Sequence, residues 1–164
     1  MLSQQSLMEL FIFGLNEPEK ICCSREDPAD ACEWKGVKCN GDGEVEEFDW
    51  ICKNEHGTLG FEFLPCSMKT LRMFMNALSG TIQLAALPGK MEVVYISFNN
   101  LIGSLGLDRL PAAVRALSLS NNKFTANPTK GHLSVVGWTS TPVLGEAKNL
   151  FKPLVVFLSW RRPY

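Results

Sequence analysis

The chain has 164 residues, of which 46% are apolar and 20% charged, the composition of one ordinary globular domain. The formal net charge of −1 argues against a general polyanion-binding protein, because affinity for nucleic acid rests on clustered Lys and Arg. No stretch is long and apolar enough to span a bilayer, so the sequence predicts no transmembrane segment.

The N-terminal residues 1–15 contain a group of apolar side chains interrupted by Glu9. They lack a basic region at the start, so they match a signal peptide poorly. The spacing fits one face of a short helix: Leu7, Met8, Leu10, Phe11, Ile12, Phe13 and Leu15. We therefore expect the chain to begin with a short amphipathic helix.

Six cysteines lie before the midpoint: Cys22, Cys23, Cys32, Cys39, Cys52 and Cys66. An even number crowded into one end favours disulfides and an oxidising compartment, and buried reduced thiols are the alternative. Their spacings are not those of a usual zinc pair, and His56 and His132 are far apart, so we expect no metal and no cofactor.

The acidic residues 40–48 look at first like half of an EF-hand loop. If Gly43 takes the sixth position of such a loop, Lys38 stands where the first carboxylate belongs and Asp49 where a bidentate Glu belongs. We therefore interpret this segment as an acidic turn that precedes a strand.

Four segments of the pattern apolar-x-x-apolar-x-apolar begin at residues 45, 68, 91 and 114, which are 23 residues apart. Other columns keep the same period: Asn76, Asn99 and Asn122; Leu78, Leu101 and Phe124; Gly57, Gly80 and Gly103; Leu59, Ile82 and Leu105; and Leu-Pro pairs at 64–65, 87–88 and 110–111. Several columns held in one register over three intervals predict a structural repeat.

Each column has a physical interpretation. The segments predict short strands whose apolar residues point inward, and stacking them into a parallel sheet buries a continuous core. The Asn comes where the chain leaves the strand, and its amide can both donate to and accept from the backbone of the turn. Stacked Asn76, Asn99 and Asn122 are therefore expected to form a ladder, and the Gly permits a backbone conformation closed to other residues.

The pattern L-x-x-L-x-L-x-x-N-x-L-x-G-x-L followed by L-P resembles the leucine-rich-repeat family, with repeat lengths like those of its plant-type and protist members. Residues 32–39, C-E-W-K-G-V-K-C, look like the C-x-W-x-G-V-x-C element of the N-terminal cap in secreted plant-type receptors. The resemblance covers about residues 3–124. It implies an α/β solenoid with a short parallel β-sheet on the concave face, an irregular or 3-10 convex side, and a helical N-terminal cap.

In detail, the resemblance implies a cap helix within residues 6–16, a disulfide between Cys32 and Cys39, and Trp34 packed beneath that disulfide. The pairing of the other four cysteines stays open, with three possible connectivities. Of these, Cys52 and Cys66 lie at opposite ends of a repeat and are not expected to bond to each other.

The predicted organisation is a cap over residues 1–44, four repeats over 45–128 and an irregular C-terminal tail over 129–164. The tail is basic: residues 125–164 hold five basic residues and one acidic residue, so they carry +4 and residues 1–124 carry −5. It contains candidates for degenerate strands at 133–138 and 154–158. Departures from the pattern are Lys53 and Glu55 in the first repeat and Ala126 and Pro128 in the fourth.

In such solenoids the strand positions outside the core form a concave binding surface. Tyr and Arg are typical interface anchors, and an exposed Phe calls for an explanation. The candidate ligand-binding residues are Asp49, Arg72, Phe74, Tyr95, Phe98 and Ser118. The alternative is that Phe74, Met75 and Phe98 fold over the sheet edge and complete the core. Ion pairing between repeats is expected where charges alternate, at Glu46, Lys69, Glu92 and Arg115.

The sequence favours a non-catalytic, receptor-like recognition module, secreted or at the cell surface, whose concave face binds a protein, peptide or glycan. One alternative is a cytoplasmic protein-interaction scaffold, and another is a truncated fragment of a larger repeat receptor. No G-x-S-x-G element, P-loop or dinucleotide-binding loop occurs, so we expect no catalytic residues. The net charge of −1 leads us to expect no nucleic acid partner. The repeat pattern specifies neither the ligand nor the oligomeric state.

Overall fold

A computed structural model describes residues 2–125 and 155–157 of the chain. Two α-helices lie in this part, α1 at Gln4–Ile12 and α2 at Glu19–Cys22. The strands β1 to β10 are Val37–Cys39, Val45–Asp49, His56–Thr58, Thr70–Arg72, Ala77–Ser79, Val93–Tyr95, Ile102–Ser104, Ala116–Ser118, Lys123–Thr125 and Val155–Phe157. Short 3-10 helices lie at Ala31–Glu33, Phe61–Phe63, Leu84–Ala86 and Leu107–Arg109.

The main sheet is built from the repeated strands, in the order β1-β2-β4-β6-β8-β10. Strands β2, β4, β6 and β8 are parallel, and residues 23 positions apart face each other, so that Phe48, Leu71, Val94 and Leu117 form one row. Strand β1 pairs with β2 in the antiparallel direction, and β10 pairs with β8 in parallel. The predicted solenoid with a parallel sheet is confirmed.

The core lies on the inner side of this sheet and runs through all the repeats. The row Phe48, Leu71, Val94 and Leu117 is 0% exposed. Two further rows flank it: Val45, Met68, Met91 and Val114, then Trp50, Met73, Ile96 and Leu119. Each fully buried aliphatic side chain contributes roughly 1.5–3 kcal/mol, so these rows supply most of the stability of the repeats.

The convex side is more regular than expected. The sequence predicted irregular or 3-10 structure there, and the 3-10 helices are present, but short strands also occur. Strand β3 pairs with β5 and β7 pairs with β9, both in parallel, and a bridge between Thr81 and Ile102 continues the same ladder. Segments of three residues are too short to show an alternating pattern, so they could not be recognised from sequence.

The cap helix begins earlier and ends earlier than the expected 6–16. The Ser3 side chain accepts a hydrogen bond from the Ser6 amide at 3.1 Å, which caps α1 at its N-terminus. The helix ends at Ile12 because the chain then turns, and Leu15 forms an antiparallel bridge with Gly57 of the first repeat. This bridge holds the cap against the solenoid.

Aromatic contacts join the same helix to the core. The ring of Phe11 packs edge-on against Phe48 of β2, with centroids 6.0 Å apart, and against Phe61, with centroids 6.2 Å apart. The helix therefore closes the open end of the hydrophobic core, which is what the cap of a solenoid must do.

The cysteines divide into one disulfide and four free thiols. Cys32 and Cys39 are bonded, with Cα atoms 5.6 Å apart. Nearby, Trp34 is buried and its indole N–H donates to the Ala29 carbonyl at 2.7 Å. The expectation of disulfides holds for that pair alone, since Cys22, Cys23, Cys52 and Cys66 are free. Burial raises the pKa of the Cys22 thiol, which donates to the Pro18 carbonyl at 3.2 Å.

Several expectations fall on residues outside the described part. They are the candidate strand at 133–138, the departures Ala126 and Pro128, and most of the tail. Of the candidate strand at 154–158, the structure describes Val155–Phe157 as β10. No helix within residues 2–125 is long and apolar enough to cross a bilayer.

Candidate binding surface

The sheet brings four of the candidate residues into one row across its concave face. Asp49, Arg72, Tyr95 and Ser118 are directly paired on successive parallel strands, and we call them the concave row. All four are half-buried. Neighbouring strands lie about 4.8 Å apart, so the row extends over ~14 Å.

Arg72 is held in place within the concave row. Its guanidinium Nη1 lies 3.2 Å from Asp49 Oδ1 and 3.3 Å from Asp49 Oδ2. The same nitrogen lies 3.9 Å from Glu47 Oε2, and Glu47 also pairs with Lys38 at 3.0 Å. Asp49 therefore orients Arg72, and the donors of the guanidinium that Asp49 leaves free remain for another group.

Phe74, Met75 and Phe98 lie beside the concave row, where the chain leaves strands β4 and β6. Phe98 is 53% exposed, Met75 is 51% exposed, and Phe74 is half-buried. The alternative that these side chains complete the core is therefore wrong for Met75 and Phe98. They form an exposed apolar edge along the solenoid.

The backbone beneath this edge is left-handed. Cys52, Met75, Phe98 and Asn121 occupy the same position in successive repeats, with φ between 54° and 58°, and we call them the left-handed column. Left-handed backbone costs roughly 1–2 kcal/mol for an ordinary residue and much less for Gly or Asn. Asn121 is thus a residue suited to the position, whereas the large apolar side chains of Met75 and Phe98 are not explained by folding.

The residue after the left-handed column is the ladder asparagine. Asn99 is buried, and its amide Nδ2 donates to the carbonyls of Met73 and Ile96 at 2.9 and 3.1 Å, while Oδ1 accepts from the Leu78 amide at 3.1 Å. Asn76 and Asn122 form the equivalent hydrogen bonds one repeat earlier and later. These bonds tie each turn to the preceding repeat and position the exposed edge.

The first repeat replaces the ladder asparagine with Lys53. The backbone of the first turn is still hydrogen-bonded to the ladder, because the amides of Lys53 and Glu55 donate to Asn76 Oδ1, each at 3.1 Å. The Lys53 ammonium lies 5.4 Å from the centroid of the Trp50 ring. Glu55 is buried, and its Oε1 accepts from the Glu17 amide at 3.3 Å, which connects the first repeat to the cap.

A cleft that sequence reasoning missed lies at this junction. Its volume is about 490 Å³, and it is lined by Lys20, Lys35, Gly36, Asp49, Trp50 and Lys53. These residues come from the cap and from the first repeat and follow no period. Of these residues, the sequence predicts a ligand-binding role only for Asp49, which also belongs to the concave row.

The column of alternating charge forms ion pairs between repeats. Lys69 lies 2.5 Å from Glu46, and Arg115 lies 3.1 Å from Glu92. The hydrogen bond from Lys69 lowers the pKa of the half-buried Glu46 carboxyl, and the same bond raises the pKa of Lys69. Such surface pairs contribute little individually.

The acidic segment between β1 and β2 is a hairpin turn. Asn40 Oδ1 accepts from the amides of Asp42 and Glu44, both at 2.9 Å. Within residues 2–125, no group of three or more His, Cys, Asp or Glu residues is placed to hold a metal ion. The exposed His56 lies on β3, on the convex side.

No family model matches the sequence, and no curated protein does. Among solved structures, the ectodomain of BIR2 from Arabidopsis thaliana matches with a TM-score of 0.62 and 21% identity, over 74% of this chain and 69% of that one. The leucine-rich-repeat ectodomain of the receptor kinase SOBIR1 from the same organism matches with a TM-score of 0.51 and 18% identity, over 76% of this chain and 83% of that one. This chain has the leucine-rich-repeat fold.

A third similar structure is the Arabidopsis receptor kinase HAESA, solved in complex with the peptide hormone IDA and the co-receptor SERK1. It has a TM-score of 0.62 and 21% identity over 76% of this chain, which spans only 22% of the HAESA chain. Identities this low establish a shared leucine-rich-repeat fold, so the function must be argued from the residues of this chain.

Proposed function

We propose that this leucine-rich-repeat chain is a non-catalytic recognition module that binds a protein or peptide on its concave face. The observation that carries the proposal is the exposed apolar edge of Met75 and Phe98. Both side chains are about half exposed, both lie on left-handed backbone, and both flank the concave row. A feature that makes folding less favourable and exposes apolar area is best explained by an interaction that covers it.

The chemistry of the surface fits such a partner. Tyr95 and Arg72 are of the residue types that dominate binding energy at interfaces, and the edge beside them adds apolar contact area. The apolar edge favours a protein or peptide over a glycan, since a thioether is only a weak acceptor and a phenyl ring has no hydrogen-bonding group for sugar hydroxyls.

The concave face is also preorganised for binding in the free protein. Asp49 holds Arg72, and the asparagine ladder holds the turns that carry Met75 and Phe98. Groups that are already ordered lose little conformational entropy on association, which leaves more of the contact energy as affinity.

We further propose an extracellular or cell-surface location. The Cys32–Cys39 disulfide supports it, because disulfides persist in oxidising compartments. The similar structures include ectodomains, and the HAESA structure contains a peptide hormone and a co-receptor. A cytoplasmic scaffold is the alternative, and the thiol measurement described in the Discussion separates the two.

The test is a selection of 12-residue phage-displayed peptides on the immobilised chain, followed by affinity measurement of the selected peptides. Phe98→Asn and Tyr95→Ala should each weaken binding by about tenfold or more, as expected for central anchors. Phe98→Asn should leave the fold intact, because Asn121 already occupies the equivalent left-handed position. Peptides that bind these variants as well as the parent chain would refute the concave-face assignment.

Ile102→Thr is the matched control for loss of exposed apolar area. Ile102 is 49% exposed, close to the value for Phe98, but lies on the convex strand β7. Its substitution should leave peptide affinity unchanged. If Ile102→Thr abolishes binding while Phe98→Asn does not, the convex side is the binding surface and the proposal fails.

A further inference from the structure

The cleft between the cap and the first repeat has a composition unlike the surface around it. Residues 1–124 carry a net charge of −5, yet this cleft of about 490 Å³ gathers three lysines around one carboxylate. Lys20 comes from α2, Lys35 from the loop before β1, and Lys53 from the turn after β2. We call this site the lysine cleft.

The positive charges of the lysine cleft are only partly neutralised. The Asp49 carboxylate is engaged by Arg72, and Lys20 pairs with Glu17. Lys35 and Lys53 are exposed, and neither has a carboxylate within salt-bridge distance in the described part of the chain. Two ammonium groups therefore remain available to an anion from outside.

Trp50 is the one aromatic residue among the described residues that line the lysine cleft. The side chain is 6% exposed, and its indole N–H is buried without a hydrogen-bond partner among the described residues. Because this nitrogen is buried, a ligand in the cleft contacts the lysines rather than the indole N–H, and the indole resonance reports on binding beside it.

We propose that the lysine cleft binds carboxylates of an acidic peptide segment, held by the ammonium groups of Lys35 and Lys53. The volume falls within the ~300–1,000 Å³ of ordinary ligand sites. The exposed lysine stems offer apolar contact that a hydrated inorganic anion would not use. This site differs in chemistry from the exposed apolar edge, so it goes beyond the function proposed above, and either site can fail without the other.

The test is a titration followed by NMR, using the indole N–H resonance of Trp50, assigned with Trp50→Phe. The probe is acetyl-Glu-Glu-Glu-amide, acetyl-Gln-Gln-Gln-amide is the neutral control, and sodium sulfate tests for a free oxyanion. The acidic peptide should give a saturable shift, and the neutral peptide none. Lys35→Gln combined with Lys53→Gln should weaken the affinity about tenfold, since each exposed ion pair contributes up to ~1 kcal/mol.

The matched control is Lys90→Gln combined with Lys123→Gln. It removes the same charge from two exposed lysines that do not line the cleft, and it should leave the affinity within about twofold, since long-range charge effects are screened by salt. Phe98→Asn should also leave this titration unchanged. Equal losses in the two double variants, the absence of a saturable shift, or tighter binding of sulfate than of the acidic peptide would each overturn the proposal.

Discussion

The side-chain amide of Asn99 donates to the main-chain carbonyl of Met73, one repeat earlier, at 2.9 Å. The equivalent bonds run from Asn76 to Trp50 at 2.6 Å and from Asn122 to Ile96 at 2.9 Å. One side chain thus connects two successive repeats at the point where each turns, and the apolar edge proposed to bind a partner rests on these turns.

Asn99→Ala should destabilise the fold by about 3 kcal/mol, because it leaves the buried Leu78 amide without its acceptor and removes one of the two side-chain amides that donate to the Met73 carbonyl. The midpoint and slope of urea unfolding measure this loss. Asn100→Ala is the control, since Asn100 is exposed, and it should change stability by less than ~0.5 kcal/mol. Equal effects of the two substitutions would contradict the ladder.

Gly36→Ala should be severely destabilising, by roughly 2–4 kcal/mol. Gly36 has φ +86°, and a Cβ there would lie 2.1 Å from the Asp49 carbonyl oxygen. The backbone would have to move away from β2, and the hydrogen bond from the Asp49 amide to the Gly36 carbonyl, now 2.8 Å, would be lost. The measurement is thermal unfolding followed by circular dichroism.

Gly41→Ala provides the contrast for Gly36→Ala. A Cβ at Gly41 meets nothing within 4 Å, so the change should be neutral or slightly stabilising. A comparable loss at both glycines would show that the close approach of Gly36 to Asp49 is not the cause.

Four thiols should react with a thiol reagent in the unfolded, unreduced protein, and six after reduction, because only Cys32 and Cys39 are bonded. Reduction should lower the free energy of unfolding by about 2–3 kcal/mol, because the unfolded chain regains the conformational entropy that the short Cys32–Cys39 loop had removed. Cys66→Ser should leave this difference unchanged. Six reactive thiols before reduction, in protein purified without reductant, would favour the cytoplasmic alternative.

The Glu46–Lys69 pair should stabilise the fold only in a defined pH window. The pKa of Glu46 is lowered in the fold, so the stabilisation is present above its ordinary value and is lost as the pH falls through the lowered pKa. The pKa of Lys69 is raised, so the same contribution persists below its ordinary value and disappears as the pH rises through the raised pKa.

The measurement is the difference in melting temperature between the parent chain and Glu46→Gln. A small decrease at pH 7 and low salt should disappear as the pH is lowered through the reduced pKa of Glu46, and also in 1 M NaCl, which screens exposed charges. Glu62→Gln is the control, because Glu62 is exposed and forms no ion pair among the described residues. A decrease that stays the same as the pH is lowered into the acid range would contradict this assignment.

The periodic part of the fold is encoded in the sequence almost completely. Strand register follows from the repeat, since residues 23 positions apart, such as Leu71 and Val94, are paired in the sheet. The same period places Asp49, Arg72, Tyr95 and Ser118 on one row. In a stacked repeat each residue packs against its own equivalent, so spacing along the chain translates directly into neighbours in space.

The tertiary structure alone decided the features that lie outside the 23-residue repeat period. The end of α1 at Ile12 depends on the bridge from Leu15 to Gly57, and the lysine cleft joins Lys20 and Lys35 to Lys53 across the cap. The exposure of Met75 and Phe98 depends on the left-handed turn beneath them. The spacing of apolar residues indicates which side chains prefer burial. The geometry of a turn or a junction decides which of those side chains are buried in the folded chain.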